Sequence, residues 1–247
     1  MADVNDVPTD DATRDTFVRL SGLIYADAGE AAIYQSIVDS ACRLVDGCER
    51  SSLMLRQRGQ YLTAAATDDI AARVDEIERE VREGPCLDAI MDEAYQHDTD
   101  LTSGTSPWPR FTERVVKETP VRSAIGYRLM LDGGKVGALN IFSDEAGRLT
   151  ERSADQGAVL AAFASVALMA LRAREEAATL RLGLQSNREI GKAVGLLMAA
   201  HRVDADGAFE LLRSTSQDLN MKLSHVAEQV VRGQESQYGG KAPRDRN

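Results

Sequence analysis

A chain of 247 residues, 43% hydrophobic and 28% charged, has the composition of one large or two modest globular domains, so disorder is not the default. A net charge of −10 argues against a general polyanion binder, and the acidic start MADVNDVPTDD argues against a secretory leader. No uninterrupted apolar run approaches the roughly 18 residues that cross a bilayer, so a cytoplasmic protein with no membrane partner is expected.

Residues 1–11 read as a loose tail. Phe17, Leu20 and Ile24 recur at helical spacing and predict a helix over Thr13–Tyr25. Ile33, Ile37, Ala41 and Leu44 predict a second over Ala31–Val45, stopped by Gly47. The pattern then changes: Ser51–Leu55 and Gln60–Thr67, around an RQRG turn, predict a β-hairpin. Ile70–Val81 predicts a charged helix with its acids on a solvated face, and Gly84–Met91 a short one with Pro at its start. Ala94–Thr99 is expected as a short strand and Trp108–Lys117 as a helix. Ser123–Leu131 and Lys135–Phe142, joined by DGG, predict a second hairpin, because those turn residues tolerate positive φ. From Glu151 a helix runs through AVLAAFASVALMAL and past Gly183 and Gly191 to about His201, since an isolated glycine weakens a helix without ending it.

Two shorter helices follow. Asp204 is placed to cap the first, which is expected to bury Ala208, Leu211, Leu212 and Leu219 beside Phe209. The next starts near Asn220 and turns Leu223, Val226, Ala227 and Val230 inward. With Ile190, Val194, Leu197 and His201 on the long helix, these stripes predict a three-helix bundle. Upstream, Leu171, Ala178 and Leu180–Leu184 form a partial heptad seam, so a coiled-coil homodimer is expected. Residues 234–247 read as a second tail.

Charge is uneven. Residues 177–233 hold seven Lys/Arg against six Asp/Glu, and the tail adds one more positive charge, leaving −12 on the first 176 residues. A nucleic-acid surface therefore belongs at the C-terminal end. The three cysteines, Cys42, Cys48 and Cys86, lack metal-ligand spacing and read as small buried residues. Gly-rich phosphate loops and nucleophile elbows are absent, so neither an enzyme nor a cofactor is expected.

The element order, closed by GALNIFSDEAGRLTERSADQGAVLAAFASVAL (Gly137 to Leu168), resembles a GAF domain over about residues 12–175. The resemblance implies an α+β fold, an antiparallel sheet with flanking helices, that binds a small molecule over the sheet or serves as a dimerisation platform. Candidate pocket residues are Cys86, His97, Trp108, Phe111 and Tyr127. Trp108 and Phe111 also suit a helix packed on the sheet, and His97 suits an exposed position. Cys86, at a helix start that can lower a thiol pKa, is a candidate attachment or redox residue.

The motifs SNREIGKAVGLLM and AFELLRSTSQDLNMKLSHVAEQVV resemble an ANTAR domain from about Leu180 to Val231, the RNA-binding output module of bacterial antiterminators. GAF followed by ANTAR is an arrangement of actinobacterial regulators, so residues 176–233 become the expected RNA-binding domain, with a helical linker over 165–185. The resemblance implies binding of paired short RNA hairpins by a homodimer. The candidate contacts, most of them at positions of the family's motifs, are Arg188, Gly191, Lys192 and Gly195 in the long helix, and Arg213, Ser214, Ser216, Gln217, Asn220 and Lys222 beyond it. These supply backbone charge and hydrogen bonds to splayed bases, as RNA recognition requires. Gly191 and Gly195 also suit tight helix packing, and the serines suit back-bonding to their helix. Ser224 and His225 depart from the usual basic-then-acidic pair, and MAAH lacks the charges common before His201. Two other readings remain: a helix-turn-helix DNA binder, disfavoured by the few Arg, Asn or Gln of the last helix, and a ligand-sensing dimerisation protein without nucleic acid.

Overall fold

A computed structural model of the chain describes residues 11–26, 28–57, 59–91, 95–131 and 133–238. Most of both expected tails, Asp132 of the DGG turn and the expected strand start Ala94 lie outside them. The chain divides into two compact units at Arg172, and each is described by itself.

The first unit holds α1 (Asp11–Tyr25), α2 (Glu30–Leu44), β1 (Arg50–Gln57), β2 (Gln60–Ala66), α3 (Asp69–Val81) and α4 (Pro85–Met91). β3 (Tyr95–Asp98), α5 (Pro109–Glu118), β4 (Ser123–Leu131), β5 (Gly134–Ser143) and the first part of α6 (Glu151–His201) complete it. The five strands form one antiparallel sheet in the order β2-β1-β5-β4-β3. The second hairpin closes on the Leu131–Gly134 pair, with Gly133 at φ 73°, the left-handed value its turn needs.

The side chains of β1, β4 and β5 alternate with the two-residue period of a strand. Leu53, Leu55, Ile125, Tyr127, Leu129, Leu139 and Ile141 enter a core roofed by α1, α2 and α6. Ala124 and Phe142, on the opposite face, pack with Val74 and Ile77 of α3 and Phe111 and Val115 of α5. Helices thus cover both faces. Tyr127 donates to the Ala154 carbonyl at 2.7 Å, fixing the start of α6 on the sheet. A Cβ at Gly157 would stand 2.5 Å from that hydroxyl, which explains the glycine one helical turn on.

The first part of α6 corrects the reading of apolar runs. Over an 18-residue window this helix is apolar enough to cross a membrane by length and composition. Its apolarity has a local cause: Ala154, Leu160, Ala161, Ala164, Ala167, Leu168 and Leu171 are buried in the domain core. Leu171 is therefore a core residue rather than the start of an exposed seam. Leu180, Leu182 and Leu184, farther along, are each more than two-thirds exposed.

The second unit continues along α6 and adds α7 (Ala205–Asp218) and α8 (Leu223–Tyr238). Its core is Ala193, Leu212, Val226, Ala227 and Val231, flanked by Ile190, Val194 and Leu197. The packing is narrower than the periodicity suggests, because His201, Phe209, Leu211 and Leu219 stay exposed. α8 extends to Tyr238, so the expected tail from 234 begins as helix.

Candidate nucleic-acid interface

In the C-terminal unit α6 ends at His201, and Arg202, at φ 56°, turns the chain. The Asp204 side chain accepts the Gly207 N–H at 2.9 Å and starts α7, a cap of the kind worth about 1 kcal/mol. On α6, Arg188, Gly191, Lys192 and Gly195 are all exposed, while Ile190, Ala193, Val194 and Leu197 pack inward. At 100° per residue the two sets lie on opposite sides of the helix. A Cβ at Gly191 or at Gly195 would meet nothing within 4 Å. The tight-packing reading of these glycines therefore has no counterpart within the chain.

On α7, Arg213 and Gln217 are one turn apart and exposed, on the side away from Ala208 and Leu212. Arg213 pairs with Glu210 through Nη2–Oε2 at 2.7 Å, and Lys192 pairs with Glu189 at 2.7 Å. Such exposed pairs are worth at most about 1 kcal/mol, so either cation is cheaply released to another anion. Ser214 donates to the Leu211 carbonyl at 3.1 Å, the back-bonding that the sequence left open.

Two of the ten candidates carry the α7–α8 turn. The half-buried Ser216 donates to the Met221 carbonyl at 2.5 Å, and Met221 N–H returns to the Ser216 carbonyl at 3.0 Å. Asn220 sits at φ 51°, a left-handed position that asparagine tolerates better than most residues. The last helix consequently starts at Leu223, three residues later than expected. The Lys222 carbonyl accepts the N–H groups of His225 and Val226, which leaves an exposed cationic side chain at the helix entrance. Among the described residues, no hydrogen bond or ion pair joins the α6 set to the α7 set.

In the N-terminal unit the five pocket candidates do not converge. Trp108 and Phe111 are buried in the core beneath α3 and α5, the indole Nε1 donating to Asp88 at 2.7 Å. Tyr127 belongs to the opposite face of the sheet. His97 is half-buried rather than exposed, its Nε2 3.2 Å from the Leu149 carbonyl. Cys86 is fully buried against Met54 and Ala138, and burial pushes its thiol up, overriding the helix-start effect expected to lower it.

The larger correction concerns α3. Asp75 and Glu78 were expected on a solvated face, yet both are buried. Asp75 accepts hydrogen bonds from Ser52 Oγ (2.7 Å), Thr63 Oγ1 (2.8 Å) and Asn140 Nδ2 (3.0 Å), so it ties β1, β2 and β5 to the helix. Glu78 accepts the Cys86 and Leu87 N–H groups at 2.7 and 3.0 Å and holds the start of α4. Burial pushes the Asp75 carboxyl up to about 6 and the Glu78 carboxyl well above its ordinary range. The signal was present in the sequence: Ala71, Asp75 and Glu78 share one helical stripe beside Val74 and Ile77. Asn140 Oδ1 in this cluster is buried without a partner among the described residues.

The GAF domain model matches residues 27–169, and the ANTAR domain model matches residues 178–231. No curated protein matches the chain. Among solved structures, the phycoerythrobilin-bound GAF domain of a cyanobacterial phytochrome is similar at 12% identity and TM-score 0.52, over 66% of this chain and 97% of that one. The GAF domain of a phosphoenolpyruvate-protein phosphotransferase from Coxiella burnetii follows at 15% identity and TM-score 0.50, over 67% and 97%. The Stigmatella aurantiaca phytochrome photosensory core module matches at 15% identity and TM-score 0.50, over 83% and 44%. At these identities the likeness is one of fold.

Proposed function

The chain belongs to the GAF domain family and carries an ANTAR domain behind it, and from that premise we propose that it is an RNA-binding antitermination regulator. ANTAR domains are known from RNA-binding antitermination regulators and GAF domains from ligand sensing. In the proposal the ANTAR module binds paired short hairpins of a nascent transcript, a form in which a terminator does not assemble. The GAF domain sets the pairing of two copies or the access to the RNA surface.

The observation that carries the reading is the glycine pair on the outer side of α6. Each glycine in a helix interior costs about 1 kcal/mol relative to alanine. Gly191 and Gly195 face open space, flanked by the exposed Arg188 and Lys192. Glycines without a neighbour in the chain suit close approach by an outside backbone, and the cations beside them suit phosphates. Arg213, Ser214, Gln217 and Lys222 form a second polar set around the end of α7, with Ser216 and Asn220 holding the turn between them. Two surfaces of this kind on each of two copies suit a two-hairpin RNA.

A homodimer is supported by apolar side chains left exposed at heptad spacing. Val18 and Tyr25 lie seven residues apart on α1, and Val159 and Val166 seven apart on α6. In the second unit the exposed Leu180 and Leu184, one helical turn apart, form an apolar strip of their own.

Filter binding of the full-length protein to a tandem-hairpin RNA and to a scrambled strand of equal length tests the function. Preference for the hairpins is expected, and equal affinity refutes the reading. If duplex DNA is bound as tightly as hairpin RNA, the module is a DNA reader instead.

A further inference from the structure

The cysteines, read from the sequence as small buried residues with Cys86 the candidate redox residue, are not equivalent in the fold. Cys86 is sealed in the core, but Cys42 and Cys48 meet: the Cys48 thiol donates to Cys42 Sγ at 3.4 Å. Cys42 lies on the last turn of α2 and is half-buried. Cys48 lies six residues later, brought back by a turn in which its N–H bonds the Val45 carbonyl at 3.1 Å and Gly47 takes φ 80°. A Cβ at Gly47 would stand 2.6 Å from the Arg148 carbonyl, so that sharp return requires glycine.

We propose that Cys42 and Cys48 form a peroxide-sensitive dithiol, with Cys42 the attacking sulfur and Cys48 the resolving one, that closes reversibly to an intrachain disulfide. The roles follow from geometry. Cys42 is the more exposed of the two, whereas the buried Cys48 Sγ lies 3.4 Å from both Cys42 Sγ and the Arg50 carbonyl, an acceptor that holds its proton. The hydrogen bond between the two sulfurs holds the Cys42 thiol below its ordinary range and pushes Cys48 above its own. Partial burial and the charges of Asp39 and Asp68 oppose that lowering, and Arg50 adds the smallest contribution in its favour.

The chemistry balances with a hydroperoxide as oxidant. The Cys42 thiolate attacks the terminal peroxide oxygen, the O–O bond breaks, and the leaving oxygen departs as water or an alcohol after protonation. Cys42 is left as a sulfenic acid. Cys48 sulfur then attacks Cys42 sulfur, the S–O bond breaks, the S–S bond forms, and the Cys48 proton leaves with the hydroxide as water. The two sulfurs together lose two electrons and the peroxide gains them. A disulfide has its sulfurs about 2.0 Å apart, so the pair must close by roughly 1.4 Å.

That closure bears on a turn tied to the start of α6. The Asp46 carbonyl accepts from Ser153 Oγ at 2.7 Å, its N–H donates to Gln156 Oε1 at 2.8 Å, and its carboxylate pairs with Arg152 at 3.0 Å. Oxidation state is thereby written onto the first turns of the helix that leaves the GAF domain.

The test treats reduced, full-length protein with hydrogen peroxide, blocks remaining thiols with a maleimide, and digests without reductant. Loss of two of the three thiols is expected, with Cys86 retained. Cleavage after Arg43 separates the two sulfurs, so the product is tryptic peptide 20–43 joined to peptide 44–50, split again by dithiothreitol. Retention of both thiols, consumption of Cys86 at the same rate, or a crosslink between two chains overturns the proposal. Cys48→Ser is expected to stall at a sulfenic acid on Cys42 that dimedone traps, and Cys42→Ser to give no such adduct on Cys48. The reverse pattern overturns the assigned roles.

Discussion

Asp75→Asn removes a buried negative charge while keeping the shape of the side chain. Asp75 has three neutral donors around it, from Ser52, Thr63 and Asn140, and Arg79 acts on it only at longer range. Burial holds its carboxyl at about 6 in the fold, against an ordinary 3.8. The folded state thus holds its proton more tightly than the unfolded chain does. The resulting stability is fully present below about pH 3.8 and is lost as the pH rises through about 6. At about 1.4 kcal/mol per pKa unit, the whole effect is about 3 kcal/mol, of which about 2 kcal/mol falls between about pH 4.5 and pH 7.5.

Glu78 titrates upward as well, so the wild-type curve alone mixes two acids. The difference between wild type and Asp75→Asn reports Asp75 together with the part of the Glu78 shift that the Asp75 charge causes, and both act in the same direction. Trp108, the single tryptophan and buried in this unit, provides the probe through its fluorescence in urea titrations at several pH values. Asparagine can still accept from Ser52 and present its amide to the Thr63 oxygen. The variant is therefore expected to gain on wild type by about 2 kcal/mol as the pH rises across that window. A constant difference at every pH would refute the buried-charge account.

Arg213→Ala and Lys222→Ala are expected to weaken hairpin RNA binding by about 1–3 kcal/mol, roughly 5- to 150-fold in Kd. Helical content should be unchanged, and the Lys222 variant should lower the salt slope by about one. Gly191→Ala should raise the thermal stability of the C-terminal module, by about 1 kcal/mol, while reducing RNA affinity; unchanged affinity would remove that glycine from the interface. Asn220→Gly keeps the left-handed turn, so loss of RNA binding with an unaltered circular dichroism spectrum would assign the side chain a contact, and full binding would leave it a turn residue only. Gly157→Ala, which sets a Cβ against the Tyr127 hydroxyl, should lower the urea midpoint read by Trp108 and leave RNA binding at low urea intact.

Much of this was legible before any coordinates. Hydrophobic period located the longer helices, since burial imposes one spacing on a helix and another on a strand, and turn residues marked the short α4 and the second hairpin. Asp204 and the DGG turn mark boundaries through chemistry that acts within a few residues. The polar residues of the C-terminal module were legible as a motif, but their division of labour was not. Whether Ser216 faces RNA or the Met221 carbonyl depends on where the next helix begins, and Asn220 at positive φ delays that helix by three residues.

The sequence by itself determined the order of elements and the polarity of the C-terminal module, because both reside in local spacing and composition, while its motifs carried the resemblance to the two domain families. Only tertiary structure decided which polar groups are buried and which sulfurs meet. Asp75 and Glu78 look solvated beside other acids until strands β1, β2 and β5 and the start of α4 supply donors from residues distant in the chain. Cys42 and Cys48 look unrelated until a left-handed glycine folds one back onto the other. Burial and contact depend on what the rest of the chain places nearby: the stripe that Asp75 and Glu78 share with Val74 and Ile77 marks their side of α3, but not the donors that meet them.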